Sequence, residues 1–298
     1  MVVEPAPTAA AARLPLPRIR RRRHATALPW FSLTMLTLLV VAAVFGVSIA
    51  PHDPTLLNLR AAFDPPVWVE GGSWSHPLGT DNLGRDILSR IIAGAQVSLV
   101  VALWAIVLAG GIGAVLGMIA GYFGGWADGI IMRIVDIQMS IPALALALIL
   151  AAVLRPGLDT VIIVIVVTYW AWYARIVRSE VLSLKERDYV ALAKVAGVRS
   201  PTIFYRHLAP NILNTLLVLA TLQVGQVIIF EASLSFLGLG VQAPAISWGL
   251  MLADARGYIT NAWWAITMPG VAIMVTCLSS NLFGDWLRDA LDPRRRQL

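Results

Sequence analysis

The residues best suited to do work in this chain lie in one polar run, RDYVALAKVAGVRSPTIFYRHLAPN, from Arg187 to Asn211, with apolar sequence on both sides. Tyr189 to Ala196 are helix formers, and Gly197 is the usual stop because glycine takes the left-handed conformation that closes a helix. Ser200 suits an N-cap and Pro201 a first helical position. The run therefore predicts two short helices about a glycine joint, the second passing through Phe204 and His207 until Pro210 ends it. Ala193, Ala196 and Gly197 leave one face without bulky side chains, so another backbone can approach closely. Such a face suits docking into a groove on a partner; the alternative is a structured basic loop.

Other reactive residue types do not assemble into a catalytic set. Cys277 is the single cysteine, so neither a disulfide within the chain nor a cysteine-based metal site forms. His24, His52, His76 and His207 all fall in tails or loops, whereas a membrane enzyme needs converging groups within its spans. His52, His76 and Asp81 lack tight spacing, and no metal site is expected. The phosphate-binding pattern Gly-x4-Gly-Lys-[Ser/Thr] is absent. Glu231 is a carboxylate near the end of an apolar run, which by default marks a functional position. With Ser235 one turn on, it either faces a translocation pathway or braces the SLSFLGLG turn. Trp248, in SWGLMLADARGYI, either dips towards a channel mouth or anchors at the membrane interface.

The elements that must position these residues are membrane helices. The 298-residue chain is 58% hydrophobic and only 13% charged, against about 25% charged in soluble domains, and its mean hydropathy is +0.75. The run 28–50 is about 34 Å long as a helix, enough to cross a core of about 30 Å and too long for a signal peptide's apolar region, so a retained first span is expected. Five more follow near Val97–Tyr122, Ile137–Leu154, Thr160–Ile176, Ile212–Leu234 and Trp263–Phe283. YWAWYAR closes the fourth as an aromatic girdle. With the N-terminus inside, inner segments hold 18 basic residues and outer ones five, which predicts N-in and C-in. The net charge of +6 then reports orientation rather than nucleic-acid binding.

No strand alternation is found, and the fold class is all-α. Residues 1–27 read as a disordered basic cytosolic tail and 51–96 as an extracytoplasmic loop. Within that loop, TDNLGRDILSRIIAGAQVSL predicts an interfacial amphipathic helix, capped at its start, with Arg85, Asp86 and Arg90 off its apolar face. Residues 97–284 form the core, with a cytosolic loop at 185–210, an outer loop at 235–262 and a cytosolic tail at 285–298. Arg133 and Asp136 are expected to pair, and Asp285, Arg288 and Asp289 to brace the last helix. Gly113, Gly117 and Gly121 permit close helix packing, either within this chain or against a partner.

ALAKVAG and the later HLAPN resemble the EAA loop of ABC-importer permeases. Ala191-Leu192-Ala193 stands where Glu-Ala-Ala is usual, Gly197 has the matching spacing, and His207-Leu208-Ala209-Pro210 replaces the closing Ile-x-Leu-Pro. HPLGTDNLGRDILSRIIAGAQVSL, EASLSFLGLGVQAPAISWGLML, Pro269-Gly270 and NLFGDWLRDALDPR look like the dipeptide/oligopeptide/nickel permease family, in its second, C-type subunit. The resemblance covers about Leu28 to Arg294.

It implies the type I ABC importer fold in a bacterial cytoplasmic membrane and a non-catalytic subunit forming half of a channel. The partners implied are a homologous second permease, cytosolic P-loop ATPase subunits carrying ATP and Mg, an extracytoplasmic substrate-binding protein and the lipid bilayer; this chain itself would hold no cofactor. Tyr189, Ala191, Ala193, Lys194, Ala196, Gly197, Ser200, Pro201, Phe204, His207 and Pro210 would then form the ATPase interface. Di- or oligopeptides are the expected cargo, with nickel or haem-like solutes as the alternative. A self-contained secondary transporter would instead place charge near mid-membrane and break helices in repeated halves.

Overall fold

The structure, a computed structural model, describes residues 28–291; the N-terminal tail, the last seven residues and the Lys194 side chain lie outside it. In lipid every backbone polar group must be paired within the protein, and helices do this segment by segment. The described chain is accordingly helical, with a single isolated bridge between Thr80 and Asp86. Helix α1 is Trp30–Ile49, α2 Ile87–Phe123, α3 Gly125–Ser140, α4 Ala143–Val153 and α5 Leu158–Lys185. Then come α6 Asp188–Val195, α7 Ser200–Ile203, α8 Ala209–Phe236, α9 Trp248–Ala255 and α10 Trp263–Leu291. Helices α1, α2, α5, α8 (continuous from Ser200) and α10 are each long and apolar enough to cross a membrane.

The helices α2 and α5 form the centre. A Cβ at Gly113 would lie 2.5 Å from Trp170 O, one at Gly117 2.4 Å from Ala174 O, and one at Gly121 2.8 Å from Val181 Cβ. The glycines one turn apart thus cut a notch into which the α5 backbone settles, and the Tyr173 ring lies over Gly110. This answers the alternative left open by the sequence: the small residues are taken up within the chain. The fourth span also outruns its expected end, because Tyr173 is a buried packing residue rather than part of an interfacial girdle.

Contacts advance in the same direction along both helices, so α2 and α5 are parallel. The chain between them must therefore return across the bundle. It does so through α3 and α4, which meet at 89°. The expected straight span over Ile137–Leu154 is thus a longer, broken one. Pro142 is the cause: it lacks an N–H and pushes the preceding residue out of the helical region, and Ile141 is extended at φ −91° and ψ 129°. Polar ties hold α3 to α5. Arg178 pairs with Asp128, its Nη2 donating to Oδ2 at 2.6 Å, and Gln138 Nε2 donates to Thr168 O at 3.1 Å. Asp136 pairs with Arg175 from α5, not with Arg133 as the sequence spacing suggested.

Before α2 the expected interfacial helix is absent as a separate element. Thr80 to Arg85 form turns, Asp86 is the N-cap, its side chain accepting from Ser89 N, and α2 then runs unbroken into the membrane. Ile87 and Arg90 both point inwards, since the outer loop folds over the helix start. At the other end α10 continues to Leu291, so residues 285–291 belong to the last helix rather than to a tail. Helices α8 and α10 pack where a Cβ at Gly225 would lie 3.1 Å from Cys277 Cα.

The notch makes a quantitative prediction. Gly117→Ala should destabilise the protein by about 1–3 kcal/mol, read as a lower Tm in detergent. Gly111→Ala, with nothing within 4 Å of the added carbon, should leave Tm unchanged. Equal effects of the two would remove the α2–α5 contact from its central place.

Candidate functional site

The polar run folds as a cap between α5 and α8. After Lys185 the chain turns into α6, which ends at Gly197 with φ +74°, the left-handed region glycine favours. Val198 N donates to Ala193 O at 3.0 Å, closing the helix end in the manner of a Schellman motif. Helix α7 then starts with Arg199 at the cap position. Ser200 is already helical, makes no capping bond, and is followed by Pro201 in the first turn.

The expected stop at Pro210 does not occur. Phe204–Leu208 forms one π turn, in which Ala209 N donates to Phe204 O, and the helix carries on to Phe236. A proline inside a helix leaves a carbonyl unpaired and crowds the preceding turn. The wider turn makes room for the proline ring, and Asn211 Nδ2 donates to His207 O at 2.6 Å.

Two faces of α6 do different things. Val190 is buried with Ile203, Leu208 and Ile212 against Val177, Val181 and Leu184, and Ala193 packs on the same cluster. Phe204 also packs there, edge-on to Tyr122, and the half-buried His207 ring lies 6.0 Å from that of Tyr189. The outward face carries Ala191, Ala196 and Gly197, together with Leu192 at 68% exposure, Val195 at 88% and, from the π turn, Tyr205 at 76%. Ser200, Pro201 and Pro210 are exposed as well.

The expected small-residue face is thus corrected. Ala193 serves the interior, and the surface alternates alanine and glycine with exposed bulky apolar groups. Leu192, Val195 and Tyr205 were the residues missed; which side of α6 faces the spans was needed to find them.

The three residues placed on a candidate pathway come together, but as packing. Glu231 is 0% exposed, and Ser235 and Trp248 are also buried, so none lines an open passage in this structure. Ser235 Oγ donates to Glu231 Oε1 at 2.7 Å and accepts from Val241 N at 3.1 Å, which pins the turn after α8. Trp248 Nε1 donates to Ile91 O at 2.9 Å, tying α9 to α2. A Cβ at Gly249 would lie 2.6 Å from Ala232 Cα, so α9 seats directly on α8. The bracing alternative for Glu231 is the one the geometry favours.

Next to this knot lies a charge cluster that sequence separation had hidden. Arg85 pairs with Asp81 at 2.6 Å and, through Nη2, with Asp254 of α9 at 3.0 Å. The buried Arg90 lies 3.6 Å from Asp81 and 3.4 Å from Asp254. The outer loop, α2 and α9 thereby share one network.

Comparison with known proteins follows the same lines. A family model described as binding-protein-dependent transport system inner membrane component matches residues 113–297. The chain is 42% identical over 262 residues to a di/tripeptide transport system permease protein, DppC, of Pseudomonas aeruginosa, covering 88% of this chain and 86% of that protein. It is 43% identical over 265 residues to the dipeptide transport system permease protein DppC of Escherichia coli, covering 89% and 88%. A probable D,D-dipeptide transport system permease protein, DdpC, of the same organism is 40% identical, covering 88% and 86%. A chain of the MetNI methionine ABC transporter, solved in inward-facing conformations, superposes with a TM-score of 0.57 at 18% identity over 69% of this chain and 98% of that one. That likeness speaks for the fold.

The charge network at the start of α2 is testable apart from the run Arg187–Asn211. Asp254→Asn removes the negative charge shared by Arg85 and Arg90, and amide exchange over 248–258 should accelerate about tenfold while that of 188–211 stays unchanged. Unaltered exchange over 248–258 would show that Trp248 and Gly249 hold α9 alone.

Proposed function

The chain belongs to the binding-protein-dependent transport system inner membrane components, and from that premise we propose that it is the C-type permease subunit of an ATP-driven peptide importer. It forms half of the channel beside a homologous second permease. Cytosolic P-loop ATPase subunits, which carry ATP and Mg, dock on its cytosolic loop, and an extracytoplasmic binding protein delivers cargo to the other face. The permease itself catalyses no reaction. Peptides as cargo follow from the named substrates of relatives that match the chain nearly end to end.

One observation carries the coupling role: α6 presents an unpartnered apolar face while its other face is fixed into the core by Val190, Ala193, Ile203 and Leu208. Because α5 enters this cap and α8 leaves it without a break in helical structure from Ser200, a push on α6 moves both spans rather than a loose loop. ATP-driven closure of the ATPase pair would shift α6 and tilt the bundle, a rigid-body change of the kind that alternates access. Leu192, Val195 and Tyr205 supply apolar contact, and Gly197 keeps the joint open, with nothing within 4 Å of a Cβ placed there. The exposed Arg187, Arg199 and Arg206 suit an acidic rim on the ATPase.

Val195→Asp tests the docking directly, because that side chain has no internal role. It should weaken co-purification of the ATPase at least tenfold, equivalent to about 1.4 kcal/mol, and abolish peptide uptake at unchanged Tm. Gly197→Asp should do the same with a small loss of stability from the φ +74° backbone. Full ATPase recovery and normal uptake with both variants would reduce Arg187–Asn211 to a loop.

A further inference from the structure

At the opposite end of α2 a cluster of side chains takes no part in coupling. His52 follows α1, His76 comes from the outer loop, and Asp86 caps α2. Each offers one ligand atom, and the three atoms lie within 4.8 Å of one another. His76 Nδ1 is 3.1 Å from Asp86 Oδ1, and His52 Nδ1 is 3.7 Å from Oδ2. The imidazole rings are 4.8 Å apart.

Ser89 holds this arrangement in place. Asp86 Oδ2 accepts from Ser89 N at 2.8 Å and from Ser89 Oγ at 2.6 Å, and the same hydroxyl accepts from His52 N at 3.0 Å. The carboxylate is therefore oriented before any ligand arrives, with its remaining lone pairs turned towards the histidines.

Its charge needs an answer. The Asp86 side chain is 1% exposed, and a carboxylate out of water is costly without a cation. The neighbouring guanidiniums of Arg85 and Arg90 are engaged by Asp81 and Asp254. Two imidazoles and one carboxylate, backed by an orienting hydroxyl, are a donor set suited to first-row divalent ions such as zinc.

We propose that His52, His76 and Asp86 bind a divalent transition-metal ion of the zinc class, which clips the chain after α1 to the start of α2 at the extracytoplasmic face. Ligand atoms around one tetrahedral ion lie about 3.4 Å apart. His52, whose side chain is 39% exposed, turns inwards to close the set and leaves the fourth position to water. The site stands independently of the coupling role. Asp81, grouped with the histidines by sequence, is not part of it; Asp86 is.

The experiment uses the full-length chain in lipid nanodiscs, purified without a histidine tag and stripped with chelator. Zinc chloride is titrated by calorimetry, and cobalt by the appearance of d–d absorption. One equivalent should bind, His52→Ala and His76→Ala should each weaken binding by about 100-fold or more, and Ser89→Ala by about 10–100-fold. A double His24→Ala, His207→Ala variant should bind as before. His52 is at the surface, so its replacement decides the matter even if His76→Ala impairs folding. No binding, or binding kept by His52→Ala and lost in the His24, His207 variant, would overturn the site and leave the histidines as plain partners of Asp86.

Discussion

The contact on which the rest of the structure depends is the approach of α5 to the glycine notch of α2. Without an aqueous hydrophobic drive between helices in lipid, association rests on close packing. Gly113, Gly117 and Gly121 supply it by letting backbone meet backbone. Because the two helices are parallel, the segment between them has to cross back, and it can do so only by wrapping outside the pair. The broken α3–α4 span is the consequence. Its Asp128–Arg178 and Asp136–Arg175 ties keep it against α5 at the end where the basic residues concentrate.

The same contact makes the run Arg187–Asn211 stiff. Val177, Val181 and Leu184 of α5 continue past the notch into the cluster that seats Val190, Ile203 and Leu208. The π turn allows α8 to start within the loop rather than after it, even though Pro210 stands in the way. Force applied to α6 thus meets packed side chains on two spans. A flexible linker would dissipate it.

The end of the bundle where α2 starts is organised by charge and by hydrogen bonds from indoles. Trp248 and Trp264 donate to Ile91 O and Thr80 O, at 2.9 and 3.1 Å, so one ring ties α9 to α2 and the other ties α10 to the loop before α2. Asp81, Arg85, Arg90 and Asp254 join three segments in one network. A loop built this way is a fixed platform.

The residues themselves determined a good deal. Hydropathy marked the membrane class and the five helices long enough to cross, with the bent α3–α4 pair a sixth if it is one span, because lipid demands about 20 apolar residues per span whatever the packing. Gly197 at the end of a helix-forming run announced the joint, since left-handed backbone is a local property. What local rules could not reach was decided by tertiary contacts. Which face of α6 is open depends on where α5 and α8 lie. Whether Glu231 meets a channel or a serine depends on the turn that folds back over it. Asp136 took Arg175 over its helical neighbour Arg133 because α3 packs on α5. Pro210 failed to end its helix because the π turn over Phe204–Leu208 widens the backbone ahead of its ring. Each of these is a choice between partners far apart in sequence, and only folding sets the distances that make one of them win.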